Sequence, residues 1–253
     1  MRRHRFYLEE FRNNTTDITT PEFVHQIARV LKLKAGEEIV VWNGDGHDYV
    51  FGIEKVSAKD ICGRVARVEK NDRESAVSVT LYCAILKREN FELVCQKATE
   101  VGVSMIVPLL TERTVKTNIN NERLKKIIKE ATEQSGRACI PALCDTMSFA
   151  EALEQAQTSD ANYFFDTAAD VISNEMRNPD AVSRKRRDPS AQGLGMTEKV
   201  NIFIGPEGGW SDAERDGAQK AGLEFRSLGS LTLRAETAAI VASYEAVNNT
   251  LRR

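Results

Sequence analysis

From residue 77 onward, short apolar runs alternate with amphipathic stretches, and this alternation restricts the fold more than any other feature of the chain. Residues 77–86 (VSVTLYCAIL), 105–110 (MIVPLL), 162–166 (NYFFD), 200–205 (VNIFIG) and 223–229 (LEFRSLG) read as strands. Between them lie helical patterns. In 88–102, Phe91, Val94, Cys95, Ala98 and Val101 fall on one face and Gly102 supplies a C-terminal stop. Residues 122–135, 148–157, 211–222 and 235–251 follow the same rule. Strand and helix in strict alternation predict a mostly parallel sheet covered by helices.

Residues 1–72 are different. The runs 37–43 and 47–56 are joined by Asn43-Gly44-Asp45-Gly46, a strong hairpin signal, and 60–70 offers a further strand. One helix is expected from about residue 21 to 33, with Thr20 as N-cap and Pro21 at the first helical position. Short strands without intervening helices suggest a small β-barrel. The charged stretch 69–75 marks the boundary, giving units 1–72 and 73–253. Within the second, 170–199 is polar and contains Arg184-Lys185-Arg186-Arg187. It reads as a flexible, solvated surface insertion, with an RNA-contacting arm as the sharper alternative.

Composition narrows the function classes. Lys and Arg number 35 against 37 Asp and Glu, so bulk charge gives no argument for coating nucleic acid. The five cysteines form no C-x-x-C pair, which fits a reducing cytoplasm and argues against a zinc ribbon. No apolar run approaches the roughly 20 residues that span a bilayer. The N-terminal MRRHRFYLEEF lacks the apolar core of a signal peptide. The three histidines are His4, His25 and His47, so chemistry in the last 200 or so residues proceeds without imidazole. No metal site is expected.

Two loops stand out. Residues 202–214 (IFIGPEGGWSDAE) run from a strand through a glycine-rich bend to a helix whose start is marked by the Ser211-x-x-Glu214 capping box. Open α/β sheets bind ligands at such strand-to-helix bends. The bend matches neither phosphate-binding glycine motif, and Glu207 in its middle would repel a phosphate. A ligand with positive charge or amide-like donors fits better, and a plain tight turn competes evenly. The second loop, 228–238 (LGSLTLRAETA), also joins a strand end to a helix start and brings Arg234 and Glu236 to the same sheet edge. Two adjacent polar-tipped loops favour a shared pocket.

Gly205-Pro206-Glu207-Gly208-Gly209, with Leu228-Gly229-x-x-x-Leu233-Arg234-x-Glu236-Thr237-Ala238, resembles the RsmE family of ribosomal RNA methyltransferases, of the SPOUT class. The likeness extends to His4-Arg5-Phe6-Tyr7, to residues 97–102 (KATEVG), to Thr111-Glu112-Arg113 and to 130–137 (EATEQSGR), in order along the chain. This chain has Leu231-Thr232 where the family often has Arg-Ile. The resemblance implies a PUA-like β-barrel joined to an α/β methyltransferase domain with a deep trefoil knot. It also implies a homodimer, and N3 methylation of a uridine in small-subunit ribosomal RNA with S-adenosylmethionine as donor. A non-catalytic RNA-binding assembly factor on the same scaffold, or a methyltransferase with another target base, are the competing readings.

Carried over residue by residue, the cofactor would be held by Phe165, Ile204, Gly205, Pro206, Glu207, Gly208, Gly209, Leu228, Gly229, Leu233, Arg234 and Thr237. Removal of the acceptor proton needs a base, for which the carboxylates of Glu236 and Glu100 are the candidates. Arg234 and Arg137 would stabilise the anionic ring. Arg2, Arg3, His4, Arg5 and Phe6 mix cations with aromatics as RNA contacts do, and Arg113 joins them.

Overall fold

The structure is a computed structural model that describes residues 3–115, 118–167, 198–248 and 251. The chain divides into two compact units. One comprises residues 1–74 with 129–140, and the other 75–128 with 141–253.

In the first unit, β1 (Arg5–Tyr7), β2 (Asp17–Ile18), β3 (Glu38–Trp42), β4 (His47–Val56) and β5 (Ile61–Lys70) form one curled sheet in the order β1-β3-β4-β5-β2. β1 runs parallel to β3 and the other neighbours are antiparallel. The pairing is an open path with β1 and β2 at its ends, a half-barrel rather than a closed ring. The Asn43–Gly46 hairpin joins β3 to β4 as its glycines demand. Pro21 opens α1 (Pro21–His25), but Thr20 makes no side-chain cap, and the helix continues as a π-helical segment over Gln26–Leu31. Phe6, Phe11, Phe23, Ile27, Ile39 and Phe51 lie in the apolar core of this unit.

The second unit carries a parallel sheet. Its strands are β6 (Val77–Ala84), β7 (Met105–Leu110), β8 (Ala142–Leu143), β9 (Met147–Ser148), β10 (Ala161–Phe165), β11 (Glu198–Ile204) and β12 (Glu224–Arg226). The order is β12-β10-β11-β6-β7-β8, with β9 also on β7, and every described pairing is parallel. Its helices are α2 (Arg88–Val101), the first half of α3 (Asn121–Ser135), whose residues from 129 on belong to the first unit, α4 (Phe149–Ala156), α5 (Asp212–Lys220) and α6 (Ala235–Val247). Gly102 ends α2 in the left-handed region, as its position predicts. From β6 the chain first builds outward through β7 and β8. Later it returns to build β10, β11 and β12 on the other side. The direction therefore reverses between β6 and β11, the point where open α/β sheets place ligands.

The expected insertion at 170–199 lies outside the described residues except for Glu198 and Lys199, which begin β11. Among the described residues no helix is long and apolar enough to cross a membrane.

Candidate active site

Strand register fixes the floor of the site. Phe165 lies opposite both Ile204 and Arg226, and Ile204 lies opposite Cys83, so four strands end level. The segments leaving this edge are 85–87 into α2, 166–167 after β10, 205–211 into α5 and 227–234 into α6. They enclose a cavity of about 610 Å3, within the ordinary range of small-molecule sites.

The first loop is held on three sides. Ser211 Oγ accepts from Glu214 N at 3.2 Å and Glu214 Oε2 accepts from Ser211 N at 2.8 Å, the reciprocal cap that the sequence predicts. Trp210 is 1% exposed and stacks on Phe164 at 4.5 Å. Its Nε1 donates to the Phe165 carbonyl at 2.9 Å. A Cβ on Gly205 would stand 2.9 Å from this indole, so position 205 admits no side chain without a shift. The turn closes with Gly209 N donating to Pro206 O at 2.9 Å. Glu207 Oε1 accepts from Lys87 N at 3.2 Å, joining the loop to the start of α2. From the far side, Arg113 Nη1 donates to Gly208 O and Glu112 N donates to the buried Glu214 carboxylate, both at 2.9 Å.

In the second loop, Ser227 Oγ donates to Gly229 O at 3.0 Å and Gly229 takes φ +110°, a conformation that glycine alone adopts freely. Arg234 is extended at the N-cap of α6 without a side-chain cap. Glu236, in the first helical turn, is 8% exposed, and its Oε2 has no hydrogen-bond partner. A desolvated carboxylate oxygen without a donor is costly, and the positive end of α6 offsets only part of that cost. A ligand that donates a hydrogen bond would satisfy it. Asp166, on the same cavity, is bound by Arg215 at 2.5 Å.

Phe165, Ile204, Gly205, Pro206, Glu207, Gly209, Leu228, Gly229, Leu233, Arg234 and Glu236 all line this one cavity. Gly208 instead faces the Arg113 side chain, and Thr237 is exposed on α6. Glu100 lies at the other end of α2 and pairs with Lys97 at 2.9 Å, an ordinary helix-face ion pair. Arg137 belongs to the other compact unit, where it binds Glu74 at 2.8 Å with its side chain 7% exposed. Neither Glu100 nor Arg137 lines the cavity.

Of the expected RNA contacts, Arg2 lies outside the described residues. His4 is exposed, and Arg3 is an exposed partner of Glu38 at 2.9 Å. Arg5 is committed to Asp48 at 2.7 Å and lies over Trp42 at 4.3 Å. Phe6 is 4% exposed and packs edge-on against Phe23, so it offers no face for a base. Phe6 belongs to the apolar core of the half-barrel, and Arg5 lies on the opposite face of β1.

The structure also brings in residues the sequence reading passed over: Trp210, Lys87, Asn90, Asp166 and Arg226. Trp210 could have been noticed as a large aromatic placed directly after a glycine pair. Lys87 and Asn90 stand at another strand-to-helix junction, with no motif to flag them.

One unit with a parallel sheet and a glycine-lined cavity at its reversal point, and another with a small curled sheet, define a two-unit α/β protein with a small-molecule cavity. A family model described as an RNA methyltransferase domain matches residues 73–245, and one described as an RNA methyltransferase PUA domain matches 22–73. The chain belongs to the RNA methyltransferase family. Among curated relatives, the ribosomal RNA small subunit methyltransferase E of Synechocystis is 29% identical, over 92% of this chain and 73% of the relative. That of Rickettsia conorii is 27% identical, over 96% and 94%. A Legionella pneumophila protein solved with bound S-adenosylmethionine is 31% identical with a TM-score of 0.79, covering 98% of both chains. The ribosomal RNA small subunit methyltransferase E of Neisseria gonorrhoeae, also solved with that cofactor, is 25% identical with a TM-score of 0.78, covering 99% of this chain and 98% of that one.

Proposed function

We propose that this chain transfers a methyl group from S-adenosylmethionine to N3 of a uridine in small-subunit ribosomal RNA. The observation that carries the reading is the partnerless Glu236 carboxylate oxygen on a cavity walled by two glycine loops. Backbone of the two loops, with Ile204, Leu228 and Leu233 as apolar walls, suits an adenosine. Glu207 supplies negative charge for a cation and none of the features of a phosphate cradle. When bound, the donor supplies an electrophilic methyl group on a sulfonium. Glu236 takes the N3 proton of the uridine, and Arg234 faces the charge left on the ring. The new N–C bond forms as the S–C bond breaks, leaving a methylated uridine, a neutral thioether and one proton on the protein.

In this reading the boundary between RNA-binding and catalytic units falls near residue 72. The α/β unit carries a trefoil knot. The enzyme works in the cytoplasm on ribosomal RNA or its particle. Two copies pair, a view supported by Tyr244, a large side chain that is 57% exposed on α6. The exposed Arg3, His4 and Arg113 are its RNA contacts. Mass spectrometry of small-subunit ribosomal RNA nucleosides, from cells with and without the gene, tests the assignment. Loss of one N3-methyluridine on deletion supports it; an unchanged nucleoside profile refutes it.

A further inference from the structure

We propose that Lys87 and Asn90 are the acceptor-side catalytic pair, Lys87 facing one carbonyl oxygen flanking uridine N3 and Asn90 donating to the other. The proposal rests on the methyltransferase reading above and adds, to the Arg234 charge already facing the ring, a donor for each of the two oxygens. Deprotonating N3 spreads negative charge over both flanking oxygens, and fixed donors at those oxygens are the largest lever a protein has on such a step. Among the residues expected to supply them, Arg137 is unavailable, because it is held by Glu74 in the other unit.

The cavity supplies replacements. Lys87 and Asn90 both line it, together with the partnerless Glu236 oxygen. Lys87 is exposed and Asn90 half-buried, and no described residue occupies the ammonium of the one or the carboxamide of the other. Their placement is built in. Lys87 is the N-cap of α2 and has no side-chain cap of its own; its N–H is held by Glu207. Because β6 and β11 are neighbours, the start of α2 lies beside the first glycine loop. Because α2 packs against α6, it also lies near the helix that carries Glu236. Two helix N-termini thus open on one cavity, and both favour negative charge there. The proton goes to Glu236, the charge passes through the two oxygens while N3 attacks the methyl carbon, and the product ring is neutral.

The test compares wild type with Lys87→Met, Lys87→Arg and Asn90→Ala. Three properties are read: S-adenosylmethionine affinity by calorimetry, the single-turnover methylation rate at saturating ribosomal RNA from pH 6.5 to 9.5, and the affinity of the S-adenosylhomocysteine-loaded protein for RNA transcribed with 5-fluorouridine, whose ring ionises more readily. Lys87→Met should keep donor affinity within about threefold and lose about 100-fold in saturated rate near pH 7. That deficit should narrow as pH rises, and the preference for fluorouridine RNA should vanish. Asn90→Ala should lose about tenfold in rate, and Lys87→Arg should recover most of the activity. A lysine that only touched phosphate would instead raise KM with the saturated rate unchanged, and that result overturns the proposal. So do rates within threefold of wild type with an unaltered pH profile. Failure of the wild-type protein to bind donor or methylate RNA would sink the parent reading instead.

Discussion

Glu236 and Gly205 show why single residues at this site differ in consequence. Glu236 is buried with one oxygen unbonded, so its environment is unfavourable in the free protein and improves when a donor arrives. Glu236→Gln keeps the shape but cannot take a proton. It should reduce the methylation rate by about 100- to 1,000-fold while donor affinity, read by calorimetry, stays within about threefold. A variant with near-normal rate would remove Glu236 as the base. Gly205 acts by absence. Gly205→Ala puts a Cβ 2.9 Å from Trp210, so either the indole or the loop must move. Donor affinity should fall about tenfold or more, whereas Gly208→Ala, which meets only the Arg113 side chain at ordinary contact distance, should bind normally. Equal affinities for the two variants would contradict the loop geometry.

At the level of elements, the fold was legible wherever one local rule dominated. Alternating patterns gave the parallel sheet, Asn43–Gly46 gave the β3–β4 hairpin, Gly102 gave the end of α2 and Ser211 with Glu214 gave the start of α5. Non-local pairings were not legible. Nothing near Arg137 in the sequence announces Glu74, yet that carboxylate accepts from Arg137, Ala138 N and Cys139 N, tying residues 137–139 back to the first unit. Nor does β1 betray that Arg5 turns inward to Asp48. Burial alone would push the Glu74 carboxyl up, but the Arg137 hydrogen bond and charge and the two backbone N–H groups outweigh it. Its folded value therefore lies below the ordinary 4.5. A depressed folded value stabilises the protein fully above pH 4.5 and is lost as pH falls through that folded value. Arg137→Met should cost about 2 kcal/mol at pH 7, a penalty that shrinks below about pH 4.5 as the stranded carboxylate takes a proton. Urea unfolding at pH 7 and pH 4 measures both; an equal penalty at the two pH values would exclude this ion pair as the cause.

At the scale of the whole molecule, the cavity was legible as a location before its lining was legible as a list. Two glycine loops and one capping box sufficed to point to a cavity at the sheet edge, because such loops are local and their chemistry is constrained. The start of α2 and Trp210 entered only through tertiary contact. The proposed pairing of two chains draws on α6. The buried residues of α6 are Glu236, Ala239, Ala242, Ser243 and Ala246, which leaves Tyr244 outward. Tyr244→Asp should weaken self-association about 30-fold, equivalent to ~2 kcal/mol, as read by sedimentation; an unchanged dissociation constant, or a monomeric wild type, would exclude α6 as the contact. The most direct measurement of the central claim is a crystal structure with S-adenosylhomocysteine bound. The account predicts adenosyl density between residues 205–209 and 228–233, with Glu236 on the same cavity. Density lodged away from both loops would contradict it.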